Sequence, residues 1–299
     1  MSLVKSGIKR IKIATISVQD INQFESYYIN WLDYKVISRS KISQSMERSW
    51  GVKGYKGTPF ILLAPNSGED VFIRAVQAKN LTEVVPLTHL GWSAIELVVS
   101  DVDVVARNLI RSPFKIIGQP KSLTDSSPIK AMQIMGPANE VIYLTSSSGK
   151  RSDINHPEPK GLIGRIFIAV MAVNNIKESK EFYIRNMMFD SQGDLSLPIE
   201  ILSLAQKKEL DYNYNISVLT GIEVGNKVEL DEYENSFKIQ KISKDSLPSA
   251  ISMMTFEVTN LDLFDLDFLS HPTEIYPGFK SGVFLGPSGE RWELLSKIY

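Results

Sequence analysis

Apolar positions change period near the start of the chain, and the change recurs. Ile11-Lys12-Ile13-Ala14-Thr15-Ile16-Ser17-Val18 is β-branched and partly alternating, which predicts a strand ending before Asp20. Behind Asp20, a residue suited to capping, Ile21, Phe24, Tyr28 and Leu32 fall at helical spacing. Three further strand-like runs follow around 34–38, 59–64 and 71–76, with the turn Asn66-Ser67-Gly68-Glu69 between the last two. The unit reads βαβββ.

Its opening signal occurs four times: Val18-Gln19-Asp20-Ile21, Val99-Ser100-Asp101-Val102, Val173-Asn174-Asn175-Ile176 and Val258-Thr259-Asn260-Leu261. Each has an apolar strand before it and a helix-compatible stretch after it, and a spacing of roughly 75 to 85 residues marks a structural repeat. The closing strand also recurs, most clearly as Gly136-Pro137-Ala138-Asn139-Glu140 and Gly286-Pro287-Ser288-Gly289-Glu290, each leading into an apolar run. The helices rhyme through Tyr27-Tyr28 and Phe182-Tyr183, aromatics expected to pack each helix on its sheet. Between the second and third copies, 146–161 is rich in Ser, Gly and Pro and lacks apolar periodicity, so it reads as a linker. His156 falls within it, where a mobile setting makes it a poor catalytic candidate.

Composition narrows the chemistry. A chain of 299 residues suits two units of about 150. A formal charge of −1 offers no basic footprint for nucleic acid or an anionic membrane. No apolar span of about 20 residues and no signal peptide is apparent, so a cytoplasmic location is expected. Cysteine is absent, which excludes disulfides, thiolate metal sites and cysteine nucleophiles. Histidine is limited to His89, His156 and His271, with His89 and His271 read as turn or surface residues. The chain has no Gly-rich phosphate loop, His-Glu-x-x-His motif or Gly-x-Ser-x-Gly elbow, so nucleotide chemistry and acyl transfer are unsupported.

Four βαβββ modules with Asp- or Asn-capped helices, Tyr-Tyr or Phe-Tyr pairs and Gly-Pro-x-Gly/Asn-Glu closing strands resemble the vicinal oxygen chelate superfamily. This group includes glyoxalases, bleomycin-resistance proteins and extradiol dioxygenases, and the resemblance spans nearly the whole chain. It implies an α+β fold of two glyoxalase-like domains, each pairing two modules into a cup-shaped mixed sheet. The first would occupy 8–148 and the second 163–299, joined by a linker at 149–162. The scaffold supports isomerases, lyases, dioxygenases and simple binding proteins alike.

The resemblance also implies where metal ligands would lie: a His or Gln seven residues before each capping residue, and a Glu at the centre of each closing strand. The first-strand positions hold Ile13, Ala94, Ile168 and Met253. The closing-strand positions hold Arg74 (or Phe72, the register being ambiguous), Tyr143, Glu229 and Glu293. Carboxylates without imidazole suit a weakly held hard cation better than a redox metal. No cofactor is therefore expected, with a weakly bound divalent metal on Glu229 and Glu293 as the alternative.

Strand alternation places Phe72, Arg74, Glu96 and Tyr143 in the N-terminal cup, lined to orient a small organic molecule or closed by an Arg74–Glu96 ion pair. Met253, Glu257, Glu229 and Glu293 line the C-terminal cup, where the last two form a proton-sharing catalytic pair or are neutralised by Lys227 and Arg291. The leading expectation is a metal-independent protein binding a small, partly apolar or aromatic molecule. The alternatives are a lyase, isomerase or dioxygenase-type enzyme and a non-catalytic packing or dimerisation pair, a homodimer being open to exposed sheet edges.

Overall fold

In a computed structural model, residues 7–79, 81–124, 126–148, 155–241 and 245–298 are described. Residues 149–154 of the expected linker lie outside them. The first module comprises β1 (Ile8–Val18), α1 (Ile21–Trp31), β2 (Tyr34–Lys41), α2 (Gln44–Ser49), β3 (Pro59–Pro65) and β4 (Phe72–Gln77). The second comprises β5 (His89–Val99), α3 (Val102–Leu109), β6 (Lys115–Ser122), β7 (Ile129–Met135) and β8 (Val141–Ser147). The third runs through β9 (Ile163–Val173), α4 (Ile176–Met187), β10 (Asp190–Pro198), α5 (Glu200–Gln206), β11 (Asn213–Thr220) and β12 (Lys227–Glu232). After β13 (Lys238–Ile239), the fourth contains β14 (Ala250–Val258), β15 (Thr273–Tyr276), β16 (Phe279–Leu285) and β17 (Arg291–Lys297). Among the described residues, no helix is long and apolar enough to cross a membrane.

The capping signals act as the sequence predicts. Asp20 accepts from the backbone N–H of Asn22 and Gln23, Asp101 from Asp103 and Val104, and Asn175 from Glu178. The fourth copy departs from expectation, because Asn260 caps only a 3-10 turn at Leu261–Leu263. The turn ends at Phe264, whose backbone is extended, and Pro272 follows.

Sheet order corrects the expected pairing. One sheet runs β15-β16-β17-β14-β1-β4-β3-β2 and the other β10-β11-β12-β9-β5-β8-β7-β6. Modules one and four build the first cup, and modules two and three the second. The halves 8–148 and 163–299 therefore do not each close a cup of their own. The seams are antiparallel: β1 against β14 and β5 against β9. Charge favours this partner choice at the first seam, where Glu257 accepts from Lys9 Nζ at 2.9 Å and Arg10 NH2 at 2.7 Å.

One large apolar cluster joins residues of both sheets to α1, α3 and α4, including Phe24, Tyr28, Ile95, Val105, Ala169, Tyr183 and Trp292. Within it the repeat's two aromatic and acidic signals meet. Tyr28 Oη donates to Glu140 Oε1 at 2.9 Å, and Tyr183 Oη donates to Glu290 Oε1. Each bond links a helix of one sheet's module to a closing-strand turn of the other sheet. A Cβ at Gly136 or Gly286 would collide with the Glu140 or Glu290 carboxyl, which explains the Gly in each turn. The aromatics pack as expected, but their hydroxyls also fasten the two sheets together.

Candidate functional site

The register fixes equivalent positions in the two cups. Thr15 pairs with Arg74, Glu96 with Tyr143, Val170 with Glu229 and Thr255 with Glu293, and the first residue of each pair lies five residues before its capping residue. Arg74, not Phe72, is thus the counterpart of Tyr143. Phe72 stands across from Ile13, under the ammonium of Lys12 at 5.3 Å from the ring centroid.

In the first cup, Arg74 and Glu293 meet at 3.0 Å with 1% and 0% side-chain exposure. Thr255 Oγ1 donates to Glu293 Oε2 at 2.6 Å. Tyr276 Oη and Ser281 Oγ donate to Oε1 at 2.8 and 3.1 Å, with Trp50 Nε1 at 3.3 Å. Arg74 also donates to Thr15 Oγ1 and Tyr276 Oη, and its guanidinium lies 4.4 Å from the Trp50 ring centroid. Burial alone would raise the Glu293 pKa, but the Arg74 charge and the hydroxyl donors outweigh it and hold the carboxylate below its usual range. Met253 is fully buried in the apolar packing beside this network, together with Met46 and Trp50 of the segment that covers the cup. The cup is filled and its acid is satisfied.

The second cup has a different balance. Glu96, Glu229 and Asp231 influence one another's ionisation there, with Lys227 acting on the two glutamates. Burial is the largest cause in each carboxyl, followed by the Glu229 charge for Glu96, the Asp231 charge for Glu229 and the Glu96 charge for Asp231. Together these push Glu96 and Glu229 up to about 8 and Asp231 up to about 7. Glu229 and Asp231 are close enough for a proton on one to bond the other. As a carboxylate, Asp231 has no hydrogen-bond donor on either oxygen although its exposure is 0%. The Tyr143 hydroxyl is likewise buried without a partner, while Thr145 acts on Glu96, and Ser93 and Gln206 on Tyr233, at the margin of hydrogen-bond reach. Tyr143 feels Asp231, Tyr233, Glu229 and Glu96 electrostatically, so its hydroxyl addresses the acid group. Glu229 alone of the three carboxyls keeps part of its surface open.

Both cups are covered by a short helix, attached in different ways. The segment of α2 is tied to the polar floor through Trp50. In the second cup, α5 contributes the apolar Ile201 and Leu202, and Gln206 Nε2 donates to the Leu87 carbonyl at 3.1 Å. Outside it lies a cleft of about 230 Å³ lined by Asn174, Tyr212, Asn213, Asn215, Glu232, Tyr233, Glu234 and Asn235. Tyr233 therefore belongs both to the cleft wall and to the cup.

Several sequence expectations require correction. Glu229 and Glu293 lie on different sheets and cannot share a proton, because module three pairs with module two. Arg74 does not pair with Glu96, since its partner is Glu293. Glu257 is consumed by its ion pairs with Lys9 and Arg10 at the β1–β14 seam. His156 is only 7% exposed and packs edge-on against Phe167, so it is not loose in a linker. Glu96, Tyr143 and Glu229 do converge, joined by Asp231. Trp50, Tyr276 and Tyr233 escaped notice because each lies outside the first and closing strands. The alternative of a divalent metal held by Glu229 and Glu293 does not fit, because the two lie on different sheets and Glu293 is saturated by its own donors. Among the described residues, no group of three or more His, Asp or Glu is arranged to hold a metal ion.

By sequence, no family model and no curated protein matches the chain. By structure, glyoxalase I from Zea mays is similar over 96% of this chain and 92% of its own, with a TM-score of 0.66 at 15% identity. A Bacillus subtilis strain 168 protein provisionally named a dioxygenase matches over 99% and 87%, with a TM-score of 0.65 at 11% identity. The cppA protein from Streptococcus pneumoniae TIGR4 matches over 97% and 98%, with a TM-score of 0.51 at 13% identity. The chain has the vicinal oxygen chelate, or glyoxalase-like, fold in its four-module form.

Proposed function

We propose that this glyoxalase-like protein binds a small organic molecule in the cup between modules two and three, without a resident metal. The observation that carries this reading is the contrast between the cups. In the first, a buried carboxylate receives four hydroxyl or N–H donors and a guanidinium. In the second, Asp231 as a carboxylate receives no donor except a proton carried by Glu229, and the Tyr143 hydroxyl is buried without a partner. Leaving such groups unpaired costs on the order of 1–3 kcal/mol each, and more for a charge. A ligand supplying the missing partners recovers that cost, while Ile168, Val170 and Ala172 offer its body an apolar wall. The partly open Glu229 marks the approach.

The test is a thermal-shift screen of small aromatic and aliphatic molecules, followed by calorimetry on wild type, Tyr143→Phe and Asp231→Asn. Stabilising compounds should lose at least tenfold in affinity in either variant. Affinity unchanged in both variants, or a bound compound located in the first cup, would overturn the reading. Stoichiometric uptake of Mn, Fe, Ni or Zn through Glu229 would overturn its metal-free part.

A second reading, proton transfer of isomerase or lyase type at Glu229, is favoured by a carboxyl pKa raised into the range useful to a general acid or base. It predicts solvent deuterium entering a bound compound at a rate that falls at least a hundredfold in Glu229→Gln. Pure binding predicts no exchange.

A further inference from the structure

Resting on the reading of the second cup as the ligand cup, we propose that its ligand is an organic cation, an ammonium group on an apolar or aromatic body. The protein carries its own template for this arrangement. In the first cup a guanidinium lies against Trp50, beside Tyr276, and is paired with the closing-strand carboxylate Glu293. That guanidinium belongs to Arg74, and the equivalent position in the second cup is Tyr143. The second cup keeps the closing-strand acid as Glu229 and adds Glu96 where the first cup has Thr15, and Asp231 where it has Leu295. It thus has more carboxyls than the first cup and lacks the arginine.

The unused hydrogen-bonding capacity has the matching character. A carboxylate only accepts, and the unpaired Tyr143 hydroxyl can accept as well as donate, whereas an ammonium offers three donors and no acceptor. The phenol rings of Tyr143 and Tyr233 supply electron-rich faces of the kind that bind organic cations. Lys227 is the cup's resident cation, and its charge acts on Glu96 and Glu229, so one cation faces three carboxyls. An anionic ligand would meet three carboxyls, and a neutral one would gain nothing from their charge.

Proton linkage follows from the same geometry. The charged and titratable groups facing the acids are Lys227, Tyr143 and Tyr233, while α5 contributes the neutral Gln206. Crowded, buried carboxyls hold protons when no cation is present, and an arriving ammonium displaces them. Binding should therefore strengthen as pH rises from 6.5 to 8.5 and release protons to buffer.

Calorimetry on the full chain tests this with arylalkylamines from benzylamine to tryptamine, each beside its matched alcohol and carboxylate, in two buffers of different ionisation enthalpy. The expected result is amine binding at least tenfold tighter than the alcohol, no detectable carboxylate binding, and proton release on amine binding. Asp231→Asn and Glu229→Gln should each weaken amine binding at least tenfold. If a variant does not fold, the amine-to-alcohol ratio and the proton release in wild type still decide. Alcohols or carboxylates binding as tightly as amines, with effects from Tyr143→Phe, would overturn the cation while leaving the ligand cup standing. Absence of binding by every probe at millimolar concentration would overturn both.

Discussion

Replacing Arg74 with Met tests the buried network of the first cup. The substitution keeps the aliphatic stem that packs against Trp50 and removes the only guanidinium within reach of Glu293 Oε2. Glu293 would keep its donors from Thr255, Tyr276, Ser281 and Trp50, but its charge would be uncompensated at 0% exposure. Breaking one side of a buried pair costs about 3–5 kcal/mol. At ~2–4 °C per kcal/mol for chains of comparable size, the midpoint should fall by roughly 6–20 °C. Urea unfolding followed by tryptophan fluorescence measures the loss directly, because Trp50 contacts both partners. The double variant Arg74→Met/Glu293→Met removes both charges and should recover most of the stability. The penalty should also depend on pH. Glu293 has a lowered pKa when folded, so it contributes stability above the unfolded carboxylate value of ~4.3, and that contribution is lost as pH falls through the lower folded value. Without Arg74 the carboxyl rises toward protonation, and the variant's deficit should shrink near pH 4–5. A single-variant loss below about 1 kcal/mol at pH 7, or a double variant as unstable as the sum of the two singles, would refute the reasoning.

Three further outcomes follow from the other buried acids. In the second cup, Glu96 and Glu229 titrate near 8 when folded, above the ~4.3 of the unfolded chain, so their contribution is full below about pH 4 and is lost as pH rises through 8. Glu229→Gln should flatten this decline, making the variant the more stable protein at pH 9 in urea titrations. Tyr28→Phe and Tyr183→Phe each remove a donor from a buried carboxyl and should cost about 1–3 kcal/mol, with deficits larger at pH 8 than at pH 6 because Glu140 and Glu290 titrate near 7. Gly286→Ala forces a methyl group onto the Glu290 carboxyl and should destabilise more than Gly54→Ala, whose Cβ meets open space, although Gly54 carries the added strain of a positive φ.

The repeat was legible because its signals are local: a capping residue after a strand, a Gly-Pro turn before a closing strand. The register of the closing strands could also be counted, so Tyr143, Glu229 and Glu293 could be set at equivalent positions, with Arg74 or Phe72 as the fourth. Which modules share a sheet was not legible. Four similar first strands can pair in more than one way, and the choice depends on contacts distant in sequence, such as Glu257 with Lys9 and Arg10. That one ambiguity moved every partner: Arg74 passed from Glu96 to Glu293, and Glu229 from Glu293 to Glu96 and Asp231. Trp50 and Tyr276 were illegible for a different reason, since they reach their cup from segments where side-chain direction has no periodic signal. Glu140 and Glu290 stood in plain view within the turn motif, but a buried acid there reads as an ordinary turn residue until Tyr28 and Tyr183 are seen above it.

The nesting of one sheet's strands inside the other's has a consequence during synthesis. The second sheet is drawn largely from one uninterrupted stretch, β5 to β12, whereas the first needs both ends of the chain. Arg74 and Glu293 are separated by 219 residues, which at about 5–20 residues per second take roughly 10–45 s to translate. Throughout that interval β1 presents an unpaired edge, and Arg74 waits for its counter-charge. The inner sheet can form before β14 to β17 are made, while the outer one closes only once they follow, so the opening module is the part of the nascent protein most in need of protection from other chains.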